Sequence, residues 1–242
     1  MITVFIYVPT KSKDMDTMFV EARYRGGISE DLFKKLEAAL SGYKKINLVA
    51  SVQYLDQMQE FAKKIEGKEL IIKRSPYRAQ HPGQILGCDV YAAECEDCDV
   101  TLAFTQGMFH VLGIPIKFGK KVINVDIESG QIDVIDEKTA EHYRKSILQG
   151  IGSALVAERV MFLESTKAGQ TYGVGMLKEA MKKKGKKVFS VVFDEVNFQR
   201  LNEFRDVDIF INTACQRIAI DDAKKLEKPI VNAEDLEPYF LR

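Results

Sequence analysis

The sequence has 242 residues, of which 46% are hydrophobic and 29% charged, an ordinary composition for a globular protein with room for two domains. Its 35 basic and 35 acidic side chains cancel. This balance excludes the strong basic excess that a nonspecific nucleic-acid surface requires. No apolar run approaches the ~20 residues that span a bilayer, and no signal-peptide pattern is visible. We expect a cytoplasmic protein that binds neither membrane nor nucleic acid directly.

Short apolar runs that alternate with amphipathic segments predict parallel β-sheets covered by helices. The fold class is therefore α/β, with two consecutive parallel-sheet domains at 41–157 and 158–242. In chain order the pattern predicts a strand at 2–8, an irregular connection at 10–27, a helix at 29–40, a strand at 46–52, a helix at 54–65, a strand at 70–73, a loop at 75–83, strands at 100–104, 114–118 and 121–125, a helix at 137–160, a strand at 161–163, a helix at 175–183, and strands at 188–193, 209–211 and 229–231.

Two cysteines follow predicted strands in similar settings. Cys215 comes shortly after the apolar run at 209–211, with Arg217 beside it to hold an anion, and Cys88 follows the segment 84–87. In open α/β sheets, ligands bind beyond the carboxyl ends of the strands. Two thiols in two α/β units therefore suggest one metal or cluster site shared by the domains. The alternative is that each is a small buried hydrophobic residue, as free cysteine often is.

Cys95 and Cys98 form a Cys-x-x-Cys pair, a spacing that zinc and redox sites use. If the segment 89–97 is helical, a rise of ~1.5 Å per residue places Cys98 roughly 15 Å from Cys88. That separation is too large for two ligands of one cluster. We expect two reduced thiols at the opposite edge of the sheet; the alternative is a loop that folds back on itself.

Six segments occur together in the order found in one protein family. They are SVQYL at 51–55, GQILGC at 83–88, GMFHVLG at 107–113, TKAGQ at 166–170, FDEV at 193–196 and DVDIFINTACQRIAIDD at 206–222. On these segments the chain resembles the archaeal diphthamide synthases, the 2-(3-amino-3-carboxypropyl)histidine synthases, from about Ile46 to Leu236. Val111 stands where the family's Gly-x-Phe-His-Pro-Leu-Gly loop has proline.

This resemblance implies an unusual iron–sulfur chemistry. Each of the family's three α/β domains supplies one cysteine to a 4Fe–4S cluster, and the iron left open binds S-adenosylmethionine. An electron from the cluster then breaks a carbon–sulfur bond to the 3-amino-3-carboxypropyl group. By this resemblance Cys88 and Cys215 are the metal ligands. The residues implied to bind the cosubstrate are Gln170, Arg217, His110, Gly107 and Gly169.

Each of these binding residues also has a purely structural interpretation. Arg217 could pair with Asp221 or Asp222 instead of a carboxylate of the cosubstrate. The glycines around Gly169 could form only a tight turn between strand and helix, and a lone histidine such as His110 is usually structural.

The resemblance also implies partners. The family's acceptor is a histidine of translation elongation factor 2, and an external donor supplies the electron. Family members are homodimers, so we expect a homodimer or a heterodimer with a relative. The chain departs from the family at its start, because none of the 52 residues before Gln53 is a cysteine. We therefore expect a shortened relative, with 1–40 as a remnant of the first domain and a third ligand that a partner supplies or that is missing.

Several functions remain open on this evidence. The first is a 3-amino-3-carboxypropyl transferase of the diphthamide type, or a related one with another acceptor. The second is a noncatalytic subunit that supports a full-length relative, which the missing first cysteine favours. The third is an unrelated α/β binding protein with a structural zinc.

Overall fold

The computed structural model describes residues 4–7, 18–167 and 173–241. The chain divides into two compact units, the first ending at Glu141 and the second beginning at His142. This division differs from the domains that the sequence predicts, which begin at 41 and 158. Those domain boundaries stay a prediction.

The first unit contains a mixed five-stranded sheet and a separate antiparallel pair of strands. Its elements are β1 (Val4–Tyr7), β2 (Met18–Glu21), α1 (Glu30–Ala39), β3 (Lys45–Ala50), α2 (Leu55–Lys64), β4 (Glu69–Ile71), β5 (Val100–Phe104), α3 (Phe109–Phe118), β6 (Val122–Asp126), β7 (Gln131–Ile135) and the start of α4 (Glu137–Val156). β1 pairs with β2. The larger sheet has the order β4-β3-β5-β6-β7, and only β7 runs antiparallel to its neighbour.

The core of the first unit lies around β3 and β5. All five residues of β5 are buried, and so are all residues of β3 except Lys45. Continuous apolar runs of this kind are typical of parallel strands covered on both faces. The rings of Phe61 and Phe104 meet at 5.6 Å between α2 and the sheet. α1 begins at Ser29, whose hydroxyl accepts a hydrogen bond from the Leu32 N–H at 3.2 Å.

The second unit contains a wholly parallel four-stranded sheet in the order β11-β10-β8-β9. After α4 its elements are β8 (Arg159–Ser165), α5 (Gly175–Lys183), β9 (Lys187–Phe193), α6 (Phe198–Asn202), β10 (Ile209–Asn212), α7 (Arg217–Ile220), β11 (Ile230–Asn232) and α8 (Ala233–Phe240). One apolar layer contains Phe162 and Leu177, and a second contains Leu163 and Phe210. Because Phe162 and Leu163 are adjacent in β8, the two layers cover opposite faces of the sheet.

The α/β class with parallel sheets is confirmed. Most predicted strands and helices occur, including β5 and α5 with the predicted bounds. In the part of the chain that the structure describes, no helix has both the length and the apolar character of a membrane span.

Three predicted elements are wrong in type or extent. The segment 114–118 belongs to helix α3 and is not a strand, because an apolar run of this kind fits a buried helix as well as a strand. The stretch predicted to be irregular contains β2. The long helix ends at Val156, and the strand after it already begins at Arg159.

The condition of a helix over 89–97 is not met, and the alternative, a loop that folds back on itself, is what the structure shows. Apart from a short 3-10 turn at Tyr91–Ala93, this segment is irregular and runs back along β3. Asn47 of β3 donates to the carbonyl of Ala92 at 3.2 Å, and Asp99 accepts from the N–H of Lys45 at the start of β3. Cys95 and Cys98 therefore lie near the amino end of β3.

Cys95 and Cys98 form a disulfide, so the expectation of two reduced thiols is wrong. Both residues are almost completely buried. The two cysteines are thus joined within their own loop. That neither is a ligand beside Cys88 stays a prediction, because the helical separation from which it was argued is not present.

Candidate functional site

Cys88 lies at the tip of a tight turn beyond the carboxyl end of β3. Gln84 forms a parallel bridge with Ala50, the last residue of β3. Leu86 and Asp89 then exchange both of their backbone hydrogen bonds, at 2.8 and 3.0 Å. Cys88 is one of the two residues between them, and its thiol is free and partly buried.

A buried carboxylate holds this turn in place. Asp89 is 1% exposed. It accepts hydrogen bonds from the hydroxyl of Ser75 at 2.7 Å and from the backbone N–H groups of Arg78, Ala79 and Tyr91 at 2.7, 2.8 and 3.2 Å. A buried charge is tolerated when it is hydrogen-bonded in this way. Asp89 therefore fixes both the turn and the loop opposite it.

That opposite loop places a cation against the thiol. Burial raises the pKa of the Cys88 thiol above its usual value, while the charge of Arg78 and its hydrogen bond to Cys88 act in the opposite direction. Since Asp89 holds the backbone N–H of Arg78, the guanidinium belongs to the same fixed assembly. A thiolate formed at Cys88 would have this counter-charge beside it.

Gly107 lies on the loop that follows β5 at the same edge of the sheet, and His110 is in the first turn of the helix α3 that this loop leads into. Gly107 has a φ of +70°, in the left-handed region that favours glycine. Its carbonyl accepts from the Thr105 hydroxyl at 3.2 Å and from Nδ2 of Asn124 at 3.3 Å. The hydroxyl of Thr105 also donates to Oδ1 of Asn124 at 2.8 Å. The two side chains that hold the Gly107 carbonyl are therefore hydrogen-bonded to each other as well.

Phe109 connects this loop to the Cys88 turn. A Cβ atom placed on Gly87 would lie 1.9 Å from Cε1 of Phe109, so the aromatic ring packs directly on the glycine backbone. The ring of His110 is 5.6 Å from that of Phe109, edge to face. The structure thus brings Cys88, Gly107 and His110 to one edge of the first unit.

Cys215 lies on the loop that follows β10 in the second unit, with a free and partly buried thiol. Asn212, which is 2% exposed, organises this loop. Its Nδ2 donates to the carbonyl of Cys215 at 2.9 Å and to Oδ1 of Asn232 at 2.7 Å. Its Oδ1 accepts from the N–H of Ala214 at 3.2 Å. One buried amide therefore sets the path of the chain into Cys215.

Thr213 ties the same loop to β8. Its hydroxyl and its backbone N–H both donate to the carbonyl of Leu163, at 2.8 and 3.1 Å. The position of Cys215 is consequently determined by contacts to the strands on both sides of β10.

Arg217 forms an ion pair with Asp221 at 2.8 Å, the alternative partner considered for it in the sequence. Its side chain is more than half exposed. A role in binding a carboxylate stays a prediction. Gln170 and Gly169 lie outside the described residues, so their predicted roles stay predictions as well.

The sequence analysis did not identify Asp89, Arg78, Asn124, Asn212 and Asn232 as functional residues. A signal for the asparagines was present, since Asn47 and Asn124 lie between apolar residues inside buried strands and Asn212 directly follows an apolar run. An amide within a buried strand requires partners for its polar atoms. At Asn124 and Asn212 those partners are the loops that carry the candidate site residues.

The donor chemistry is compatible with a cluster bound by thiolates. Each unit presents a free cysteine, Cys88 in the first and Cys215 in the second, on a loop past the end of an internal parallel strand. Among the described residues, no three histidine, cysteine or acidic side chains gather as a metal site. A metal centre at either thiol would therefore need ligands beyond its immediate neighbours.

These features define a class: α/β proteins in which two parallel-sheet units each present one free cysteine beyond the carboxyl end of an internal strand. A family model for diphthamide synthesis proteins matches residues 5–240, nearly the whole chain. The chain belongs to that family, as the sequence motifs indicated.

Similar proteins have names that agree with this assignment. The chain is 27% identical over 228 residues to the 2-(3-amino-3-carboxypropyl)histidine synthase of Pyrococcus horikoshii, a match that covers 93% of the chain and 65% of that protein. It is 27% identical to the synthase of Methanocaldococcus jannaschii, covering 88% of the chain and 57% of that protein. It is 26% identical to subunit 1 of the synthase of Caenorhabditis elegans, a match that covers 78% of this chain and 48% of that subunit. The chain thus spans less than two thirds of the length of these relatives.

Solved structures show the same fold. The crystal structure of Dph2 from Pyrococcus horikoshii with a 4Fe–4S cluster matches with a TM-score of 0.72 and 26% identity, over 88% of this chain and 62% of that one. A second structure of the same protein matches with a TM-score of 0.74. A cluster-bearing relative is therefore superimposable on most of the described fold.

Proposed function

We propose that this chain is an iron–sulfur, S-adenosylmethionine-dependent 3-amino-3-carboxypropyl transferase that modifies a histidine of a protein acceptor, by default that of translation elongation factor 2. The observation that carries this proposal is the state of the cysteines. Cys88 and Cys215 are free and lie on supported loops past strand ends, within family motifs, while the other two cysteines are joined to each other. The relative whose crystal structure contains a 4Fe–4S cluster supports the same assignment.

Cys88 and Cys215 would hold the cluster as thiolates. When bound, a 4Fe–4S cluster supplies the electron that breaks a carbon–sulfur bond of S-adenosylmethionine. The remaining tasks belong to the chain. Asp89 and Asn212 hold the two cysteine loops in shape through buried hydrogen bonds before any ligand arrives. Such preorganisation reduces the cost of ordering ligands when they bind.

The remaining candidate residues would hold the cosubstrate. In this proposal Gln170 and Arg217 bind the carboxylate of its methionine part, and Gly169 contributes a backbone N–H. Gly107, on the loop after β5, and His110, in the first turn of α3, would contact the same cosubstrate. Arg217 would have to exchange Asp221 for the new carboxylate, which its exposed position permits.

The test is product analysis. The chain is purified without oxygen, supplied with iron and sulfide, and examined for absorbance near ~400 nm, the region of thiolate-to-iron charge transfer. It is then incubated with S-adenosylmethionine and dithionite. We expect products derived from the 3-amino-3-carboxypropyl group, such as 2-aminobutyrate, and 5′-methylthioadenosine. Release of 5′-deoxyadenosine instead would contradict the proposal.

A second function follows from the same cysteines. Because Cys95 and Cys98 are paired, the chain retains two free thiols, fewer than the three cluster ligands of the family pattern. The chain could therefore be a noncatalytic subunit that supports a longer relative in the cytoplasm, as the subunit names of eukaryotic relatives suggest for their own assemblies. A chain that binds iron and forms neither product, but stimulates such a relative, would favour this role. An acceptor other than elongation factor 2 would be identified by transfer of the radiolabelled group.

A further inference from the structure

Strand β9 forms one edge of the second sheet, and its outer backbone groups are exposed. The N–H of Lys187 bonds to Glu158 at 2.7 Å, and the carbonyl of Phe193 accepts from Thr166 at 2.9 Å. In a parallel ladder alternate residues face the same neighbour, so the odd-numbered residues of β9 face β8. The N–H and C=O groups of Val188, Ser190 and Val192 therefore point outward, and no backbone hydrogen bond from the described part of the chain reaches them.

The side chains along this edge are apolar and exposed. Phe189 is 45% exposed and Val192 is 63% exposed, on opposite faces of the strand. The seven residues of β9 include no proline and only one charged side chain, that of Lys187 at its start. Native proteins usually cover or charge an edge of this length, because it is a template for pairing with another strand.

We propose that β9 pairs antiparallel with β9 of a second copy of this chain, about a twofold axis at Ser190. In this register Ser190 lies opposite its own counterpart, and Val188 lies opposite Val192. All three are residues whose backbone groups point outward. Each opposed pair can therefore exchange two hydrogen bonds, and the two four-stranded sheets become one continuous sheet.

The charges at the two ends of β9 favour a second copy over an unrelated strand. Lys187 is the exposed first residue of β9, and Asp194 and Glu195 follow its carboxyl end, whereas the Lys186 ammonium is hydrogen-bonded to the carbonyls of Leu155 and Ala157. An antiparallel copy brings the basic end of one strand beside the acidic end of the other at both ends of the interface. Opposite charges across strands are favourable, and self-complementarity of this kind is what a twofold interface requires. This pairing does not depend on the proposed catalytic function.

Chemical cross-linking tests the register directly. Across the axis, the two Cα atoms of residue 190 would be about 5.5 Å apart, whereas those of residue 188 would be roughly 14 Å apart along the strands. A short bismaleimide should therefore join two copies of the Ser190→Cys chain but not two copies of the Val188→Cys chain. Both variants retain the native free cysteines Cys88 and Cys215. Cross-links through these two residues should therefore form equally in both variants and do not affect the comparison. Equal cross-linking of the two variants would overturn the proposal.

The oligomeric state of a proline variant provides an independent measurement. Ser190→Pro removes an N–H that faces outward and leaves the pairing with β8 intact, as proline on an edge strand can. Ser190→Ala is its control, since both changes remove the hydroxyl that hydrogen-bonds to Glu164. We expect the dimer dissociation constant, from sedimentation, to rise at least about tenfold for Ser190→Pro over Ser190→Ala, because two hydrogen bonds at the axis are lost.

Two results would assign the edge differently. If Ser190→Pro dimerises as tightly as Ser190→Ala while its circular dichroism is native, β9 is not the interface. If copies of this chain never associate, and β9 is protected from hydrogen exchange only by a longer relative, the edge belongs to that other chain and the proposal fails. The cross-linking comparison remains decisive even if the proline variant does not fold.

Discussion

Each free thiol of this protein lies beside a buried polar side chain that does no chemistry of its own. Asp89 adjoins Cys88, and Asn212 precedes Cys215 by three residues. Both side chains form hydrogen bonds to backbone groups in and around the cysteine loops. Burying a carboxylate or an amide is costly unless every polar atom is satisfied, so these two loops have little freedom to take another path.

We predict that Asn212→Ala releases the Cys215 loop. The change removes the hydrogen bonds to Cys215, Ala214 and Asn232 and leaves their groups without that partner. We expect the free energy of unfolding to fall by about 1–3 kcal/mol, and the alkylation rate of Cys215 to rise several-fold. The rate is measured in a Cys88→Ser background, where Cys215 is the remaining free thiol.

A matched control comes from the same unit. Asn202 also bridges two backbone groups, donating to Lys225 at 3.1 Å and accepting from Glu227 at 3.0 Å, but it does not contact the Cys215 loop. Asn202→Ala should lower stability, by less than Asn212→Ala because its hydrogen bonds are exposed to water, without changing the alkylation rate of Cys215. An equal rise in both variants would show that Asn212 acts only through global stability.

At the scale of elements, helix α3 is tied to the Cys88 turn by its first residue. The ring of Phe109 occupies the space beside Gly87 that a side chain would otherwise take. Farther along the helix, a Cβ atom on Gly113 would approach Cγ1 of Val90 to 3.1 Å. Two small residues therefore allow the helix and the turn to approach closely at the edge where the candidate site lies.

We predict that Gly87→Ala displaces this helix from the turn. Since the new methyl group would meet the Phe109 ring at 1.9 Å, we expect a loss of about 1–3 kcal/mol in the free energy of unfolding, the usual cost of overpacking. Phe109→Ala in the same chain should recover part of that loss in urea titrations. Gly42→Ala serves as control, because a Cβ atom there meets nothing within 4 Å. Additive losses in the double variant would contradict the packing explanation.

Elements with an unambiguous pattern were predictable from the sequence, and ambiguous ones were not. The apolar run at Val100–Phe104 is too short for a helix and is a strand. The segment Phe109–Phe118 is apolar on all sides, so its periodicity does not separate helix from strand, and Pro115 reads as a helix breaker although the helix continues through it. The antiparallel strand β7 was missed although residues 131–134 alternate polar and apolar, the pattern typical of a half-buried strand.

The two cysteines of the candidate site could be predicted from the sequence, but the hydrogen bonds that hold their loops could not. The positions of Cys88 and Cys215 after strands could be inferred, because parallel strands end at one edge of their sheet. Three of the four partners of Asp89 come from a loop 10 to 14 residues earlier in the chain, and nothing local in the sequence specifies those contacts. The Cys95–Cys98 disulfide depends on a loop in a segment for which the sequence left both a helix and a loop open.

At the scale of the whole molecule, the two free thiols belong to different compact units. The proposed function requires that both serve one cluster, whereas two separate metal sites would leave the units independent. Iron content in cysteine variants distinguishes these arrangements, because a shared site makes the two thiols interdependent.

We predict that Cys88→Ser and Cys215→Ser each remove most of the bound iron, and that the double variant loses little more. Independent sites would instead leave each single variant with about half of its iron, and the two losses would add. Iron per chain is measured after anaerobic reconstitution. The control is the Cys95→Ala and Cys98→Ala double variant, which should retain nearly all of the iron, since its cysteines are joined to each other near the amino end of β3. Iron loss in that control would mean that the Cys-x-x-Cys pair is itself a ligand, and the assignment of Cys88 and Cys215 would then have to change.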